Sequence, residues 1–305
     1  MTNPAIDPLA IIELTNLKAS GKLEHLARHP QLGMKPEWMT ELASDEHWFV
    51  RYALASNPAI ASSPEVIQTL STDEDPNVRY ALAKNPALAS FPEIAELLAK
   101  DKYYYVRLEL AQNPAVSSFP KIIAKLAKDR SKIARESLAE NPVLASYPEI
   151  IEKLSIDKCI AVRQALALNP AIANCPEIVE RLSKDEDPDV RWSLATNPAI
   201  ANLPEIVDKL SIEKDAWVRS CLAQNTALAN CSKILTKLAK DKNPTVRAYL
   251  ARNPAIASYP EIVEKLATDE NSWVHRNLAL NPAIPTSTAS NAQWNTQPAR
   301  TAPTL

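Results

Sequence analysis

Glycine is almost missing from this chain, with two residues in 305, Gly21 and Gly33. Phosphate-cradling loops, nucleophile elbows and close-approach turns depend on its backbone freedom. Those chemistries have no obvious place after residue 33. The four cysteines, Cys159, Cys175, Cys221 and Cys231, form no C-x-x-C pair. They read as structural thiols, so neither a metal nor a disulfide framework is expected. Long apolar runs are lacking too, and Met1-Thr2-Asn3-Pro4 does not open a basic segment followed by an apolar one. The expectation is a cytoplasmic protein with no membrane span. Neither sign of charge is in excess, with 34 Lys and Arg against 36 Asp and Glu. That balance argues against a whole-chain nucleic-acid or membrane footprint. Nothing alternates with period two, so strands are not expected.

What the chain does have is a repeat. Val-Arg-x-x-Leu-Ala-x-Asn-Pro begins at Val50, and its second residue recurs as Arg51, Arg79, Arg107, Arg135, Arg163, Arg191, Arg219, Arg247 and His275, always 28 residues on. A fixed period of this size is the signature of a stacked repeat array. The chain divides into an N-terminal cap with a degenerate repeat (residues 1–44), the array (45–284), and a Pro/Ser/Thr/Asn-rich tail (285–305) expected to be disordered. In the cap, Lys22-Leu23 stands where Val-Arg belongs. Terminal repeats are expected to be atypical because one face lacks a neighbour.

Residues 73–100, DEDPNVRYALAKNPALASFPEIAELLAK, show two short helices. The first opens at Asp75-Pro76, a capping side chain before a proline. Val78, Leu82 and Ala83 form its core stripe, and Asn85-Pro86 ends it. Asp187, Asp215, Asn243, Asn271 and Ser131 hold the same capping phase. The second helix follows Ser90-Phe91-Pro92-Glu93, whose spacing predicts a capping box. Its core positions are Ile94, Ala95 and Leu98, and Leu88 tucks the linker inward. The fold expected is all-α, an α-solenoid of about nine 28-residue two-helix repeats.

Two ladders run through the array. An aspartate stands six residues before each block's arginine, from Asp45 to Asp269, with Glu213 as the one substitute. Each arginine should bridge its own and the adjacent repeat's acid, which fixes register more than it adds net stability. Such matched acids argue against free arginines gripping a polyanion. The asparagines from Asn57 to Asn281 should end helices and bond to linker backbone. A residue repeated nine times cannot be a single catalytic group.

The blocks VRYALAKNP and VRWSLATNP with their preceding aspartate resemble the leucine-rich repeat variant motif, and the Asp-to-Arg spacing resembles HEAT repeats. The resemblance covers about residues 36–284. It implies a right-handed superhelix whose Val-Arg helix lines the concave side. Leucine-rich variant repeats are typically shorter, with a second 3₁₀ segment, whereas the capped second helix here reads as fully α. Some members carry an N-terminal cysteine cluster for an iron–sulfur centre. No cysteine precedes Cys159 here, so no cofactor is carried over.

Function is then expected at the phases that vary. Beside the Val-Arg core they form one helical stripe, holding Phe49, Tyr52, Tyr80, Tyr105, Leu108, Trp192, Trp217, Tyr249, Trp273 and Arg276. Aromatics and arginine are the usual anchors of protein interfaces. The plainer alternative is that these rings pack against neighbouring repeats. The reading is a non-enzymatic scaffold that binds a protein or peptide along this face. Alternatives are a nucleic-acid-binding HEAT-like protein and a HEAT-like accessory lyase. No catalytic constellation can be assembled from spacing, and His25 and His29, lacking an acidic partner, read as surface histidines. Tyr103-Tyr104-Tyr105 marks a further surface, and Trp294 lies in the tail.

Overall fold

A computed structural model describes residues 23–29 and 36–284. Gly21, Gly33, most of the cap and the tail with Trp294 lie outside the described residues. Within these the chain is all-α, with no strand. It packs as two compact units divided between Ala171 and Ile172.

The first unit opens with Leu23–Ala27 and Pro36–Ala43, then repeats one three-part module. In the best-formed copy, a Val-Arg helix at Pro76–Lys84 leads to a 3₁₀ segment, Pro86–Ser90, and a Pro-Glu helix, Pro92–Leu98. The same order holds for Trp48–Ala55, Pro58–Ser62 and Pro64–Ser71. It recurs in Tyr104–Gln112, Pro114–Ser118 and Pro120–Leu126, and in Lys132–Glu140, Pro142–Ser146 and Pro148–Ser155. The unit's last helix is Ile160–Leu168. Successive Val-Arg helices pack side by side, as do successive 3₁₀ segments.

The second unit starts with Pro176–Leu182. Three modules follow, with Val-Arg helices at Pro188–Thr196, Ala216–Gln224 and Pro244–Arg252. Their Pro-Glu helices are Pro204–Leu210, Ser232–Leu238 and Pro260–Ala267. Ser272–Ala279 is the final helix.

Helices of seven to nine residues are too short to persist alone in water. Burial holds them. Val78, Leu82, Ala83 and Leu88 are fully covered, and Ala95 and Leu98 nearly so, repeating across the array. Truncating one such leucine to alanine costs about 2–5 kcal/mol.

The expected capping box is not formed. Ser90 closes the 3₁₀ segment, and the N-cap of the Pro-Glu helix is Phe91, which makes no side-chain cap. The reason is register. Ser90 is the last residue of the 3₁₀ segment, whose closing bond runs from Phe91 N–H to Leu88 O at 2.9 Å, so the serine stands one residue ahead of the N-cap position a capping box requires. The first helix is capped as its sequence predicts in several copies. Asp75, Asp187, Asp215, Asn243 and Asn271 accept the N–H two residues on. Ser131 holds that phase without a side-chain cap.

Candidate functional site

The two ladders are resolved atom by atom, and both face inward. Within each unit the ladder asparagines perform two tasks. The Oδ1 caps the 3₁₀ segment, as where Ala115 N–H donates to Asn113 at 2.9 Å. The Nδ2 reaches back one repeat, where Asn113 donates to Ala83 O at 2.7 Å and Asn85 O at 3.1 Å. Asn85 does the same to Ala55 and Asn57, and Asn253 to Ala223 and Asn225. The helix-ending residue of one repeat is thereby bonded to the helix-ending residue of the one before.

Of the two acids expected for each arginine, the carboxylate taken is the adjacent repeat's. Arg51, Arg79, Arg107, Arg135, Arg219 and Arg247 each grip the next repeat's aspartate through Nε at 2.5–2.7 Å. A second bond from Nη2, such as Arg107 to Asp129 at 2.9 Å, makes each grip bidentate. The acid of the arginine's own repeat is engaged through its backbone carbonyl instead, as where Arg107 Nη1 donates to Asp101 O at 2.6 Å. That acid's carboxylate is held by the preceding repeat's arginine and by a local cap: Asp101 Oδ1 accepts Tyr103 N–H at 2.9 Å, and Asp129 Oδ1 likewise accepts Ser131 N–H at 2.8 Å. Burial pushes the Asp129 carboxyl up, but the Arg107 hydrogen bonds, the Ser131 N–H and the guanidinium charge together hold it below its ordinary value. One rung is imperfect. Glu213 lies 3.5 Å from Arg191 Nε, and that buried nitrogen has no hydrogen-bond partner.

With these groups consumed, what remains for recognition is the stripe beside them. In the second unit Trp217, Tyr249 and Trp273 line up across three successive Val-Arg helices. Their ring centroids lie 5.9 and 5.7 Å apart, edge to face. Such contacts are the preferred aromatic geometry, yet Trp217 remains 47 % and Trp273 41 % exposed. Arg276 is exposed one turn beyond Trp273. Trp192 is half-buried and hydrogen-bonds Cys221, so it stands outside that row of rings.

The first unit carries two smaller clusters. Phe49 and Tyr52 are joined through Trp48, at 6.3 and 6.2 Å, and Tyr80 meets Tyr105 at 6.2 Å. Burial, then a hydrogen bond to Glu109, pushes the Tyr80 phenol up to about 12. Tyr80, Tyr105 and Leu108 are half-buried, and Tyr80 and Tyr105 pack on each other across repeats, as the plainer alternative expects. Trp48, 45 % exposed, was missed by the stripe because it sits one residue off its phase. Its neighbour Phe49 and the local H-W-F aromatic run were the available signal. Tyr103 and Tyr104 are exposed and pack on Tyr105.

Elsewhere the described residues offer little for chemistry. Burial, then the Asp215 charge, pushes the Cys221 thiol up to about 12 against the Trp192 hydrogen bond. No group of three or more His, Cys, Asp or Glu among the described residues is placed to hold a metal. No described helix is long and apolar enough to cross a membrane.

Repeat period, helix order and internal ladders define an all-α helical-repeat protein. No family model matches the chain, and no curated protein matches it. Among solved structures, it is similar to one described as a leucine-rich repeat variant with a novel repetitive structural motif. That match has 20 % identity and a TM-score of 0.48, and covers 78 % of this chain and 87 % of the other. It is also similar to the Escherichia coli protein YibA at 17 % identity and a TM-score of 0.39, covering 78 % of this chain and 97 % of that one.

Proposed function

We propose that the protein is a non-enzymatic scaffold that binds a protein or peptide on the exposed face of its Val-Arg helices. The observation that carries this reading is the Trp217–Tyr249–Trp273 row, three rings pre-packed on one another with both tryptophans more than two-fifths exposed. Rigid aromatics lose little conformational entropy on binding and dominate interface energetics. Arg276 beside Trp273 adds a planar donor for carboxylates or backbone carbonyls. The buried pairing of the ladder arginines supports a protein partner over a polyanion. A guanidinium already held bidentately by an aspartate is a poor phosphate ligand.

The test is a W217A/W273A variant of the full chain, checked by circular dichroism. A partner captured by the wild type should be lost at least tenfold from a variant with unchanged helicity. Recovery of the same partner by the well-folded variant would remove this face from the account. Salt-sensitive retardation of DNA or RNA by both proteins would move the reading to nucleic acid.

A further inference from the structure

Among the described residues, no arginine reaches the carboxylate of Asp45, the first aspartate of the ladder. Counting back 28 residues from Arg51 places Leu23 in the arginine phase, so Asp45 faces a leucine where Asp73 and Asp101 face guanidinium groups. Its backbone half is built as in other repeats, with Arg51 Nη1 donating to Asp45 O at 2.7 Å. Asp45 Oδ1 accepts His47 N–H at 2.9 Å and lies 3.5 Å from His47 Nδ1. Among the described residues nothing donates to Oδ2. The side chain is only 3 % exposed. A carboxylate so buried without a cation is costly, and at Asp73, Asp101, Asp129, Asp157, Asp241 and Asp269 that need is met by arginine.

Asp45 opens onto a pocket of about 140 Å³ whose lining includes Leu23, Glu24, Glu46, His47 and Phe49. The repeat itself shows what fits there. In the Arg79 rung, Asp101 holds the guanidinium bidentately and the Tyr103 ring lies beneath it, 5.7 Å from Cζ. Two repeats earlier the same phases are Asp45 and His47. In the Arg51 rung the residue after the aspartate joins in, Glu74 standing 3.6 Å from Nη2, and its counterpart is Glu46. The carboxylate fork, the flanking acid and the flat ring are thus all present at the first rung. The guanidinium is not. The neighbouring Arg28 is committed to Glu24 at 2.8 Å.

We propose that the cavity at Asp45 is a guanidinium-binding site that takes an arginine side chain from another polypeptide, which completes the ladder in place of the missing residue. Asp45 supplies the bidentate acceptor, Glu46 a second charge, and His47 and Phe49 the ring surfaces over which a planar cation stacks. The site is independent of the aromatic row in the second unit, so either can fail without the other.

The experiment titrates the full-length protein with N-acetyl-arginine amide, using the lysine and citrulline amides as controls and calorimetry as readout. The arginine amide should bind at least tenfold more tightly than either control. Asp45→Asn, which keeps the His47 cap but loses the charge, should weaken binding at least tenfold. Leu23→Arg supplies the guanidinium in cis, so it should abolish binding while raising the melting temperature. Equal affinity for arginine and citrulline amides would overturn the proposal, as would undiminished binding to a folded Leu23→Arg variant. Free arginine binding tenfold better than its amide would overturn the polypeptide source.

Discussion

Asn113 offers the sharpest test of how successive repeats are joined. It is 4 % exposed and makes three hydrogen bonds, two of them to the preceding repeat. In Asn113→Ala, Ala83 O loses its inter-repeat donor near the C-terminus of Pro76–Lys84, and Ala115 N–H loses its cap. Asn85 O is less affected because it still accepts Leu88 N–H at 3.2 Å. One buried orphan group costs about 1–3 kcal/mol, and the half-buried Ala115 N–H weighs at the low end, for a total of about 2–4 kcal/mol. Asn113→Asp separates the two tasks. The carboxylate can still cap Ala115, but it points a charge without a proton at two carbonyl oxygens. The aspartate variant should therefore be less stable than the alanine variant at pH 7 and should recover as the pH falls and the carboxyl is protonated. Urea unfolding followed by far-ultraviolet circular dichroism measures both. An aspartate variant as stable as wild type at pH 7 would refute the inter-repeat donor role and leave only a local cap.

Other rungs make further predictions. Arg107→Met should cost about 3–5 kcal/mol at pH 7, because Asp129 is left buried without its cation, and the deficit should shrink toward pH 3 as Asp129 takes up a proton. For Asp129, Asp157, Asp241 and Asp269, burial raises the carboxyl and the paired arginine and capping N–H more than reverse it, leaving each below its ordinary 3.8. A lowered folded-state value contributes stability that is present above the ordinary value and is lost as pH falls through the folded one, so denaturation midpoints should hold near neutrality and drop below about pH 4. Glu213→Asp should restore the bidentate geometry at Arg191 and raise stability by about 1 kcal/mol, read as a higher urea midpoint. The buried Cys221 should resist iodoacetamide at pH 8 in the folded protein, while the partly exposed Cys159 and Cys231 are alkylated first, as peptide mass mapping would show.

Much of this architecture was legible from one number, the 28-residue step between Arg51 and Arg247. It placed Val78, Leu82 and Leu88 in the core, and the inward pull of those side chains is what the period encodes. The asparagine ladder was legible for the same reason, since a buried amide before proline has few partners except backbone. Two features were not. Ser90 and Glu93 have capping-box spacing, yet Ser90 is drawn into the 3₁₀ segment and the N-cap falls on Phe91, and spacing alone does not reveal that. Of the two acids expected for each arginine, the adjacent repeat's carboxylate is gripped and its own repeat's is not: stacking brings Asp129 to Arg107, while Asp101 offers only its carbonyl, which a spacing of six does not reveal. The stripe of variable residues was legible as a helical phase, but which rings stay open depends on neighbours. Trp217 and Trp273 remain open, whereas Tyr80 turns to Glu109. The different first rung at Asp45 had a signal in plain view, the Leu23 that stands in an arginine column.

The most direct test of the central claim, that the ladders are internal framework and recognition lies on the rings beside them, is site-specific photocrosslinking. A benzophenone amino acid would be placed at Trp217, Tyr249 and Trp273, and at Lys265 on an exposed Pro-Glu helix as the control. The account predicts a polypeptide adduct from the three ring positions and none from Lys265. An adduct from Lys265 with none from the ring positions would contradict it.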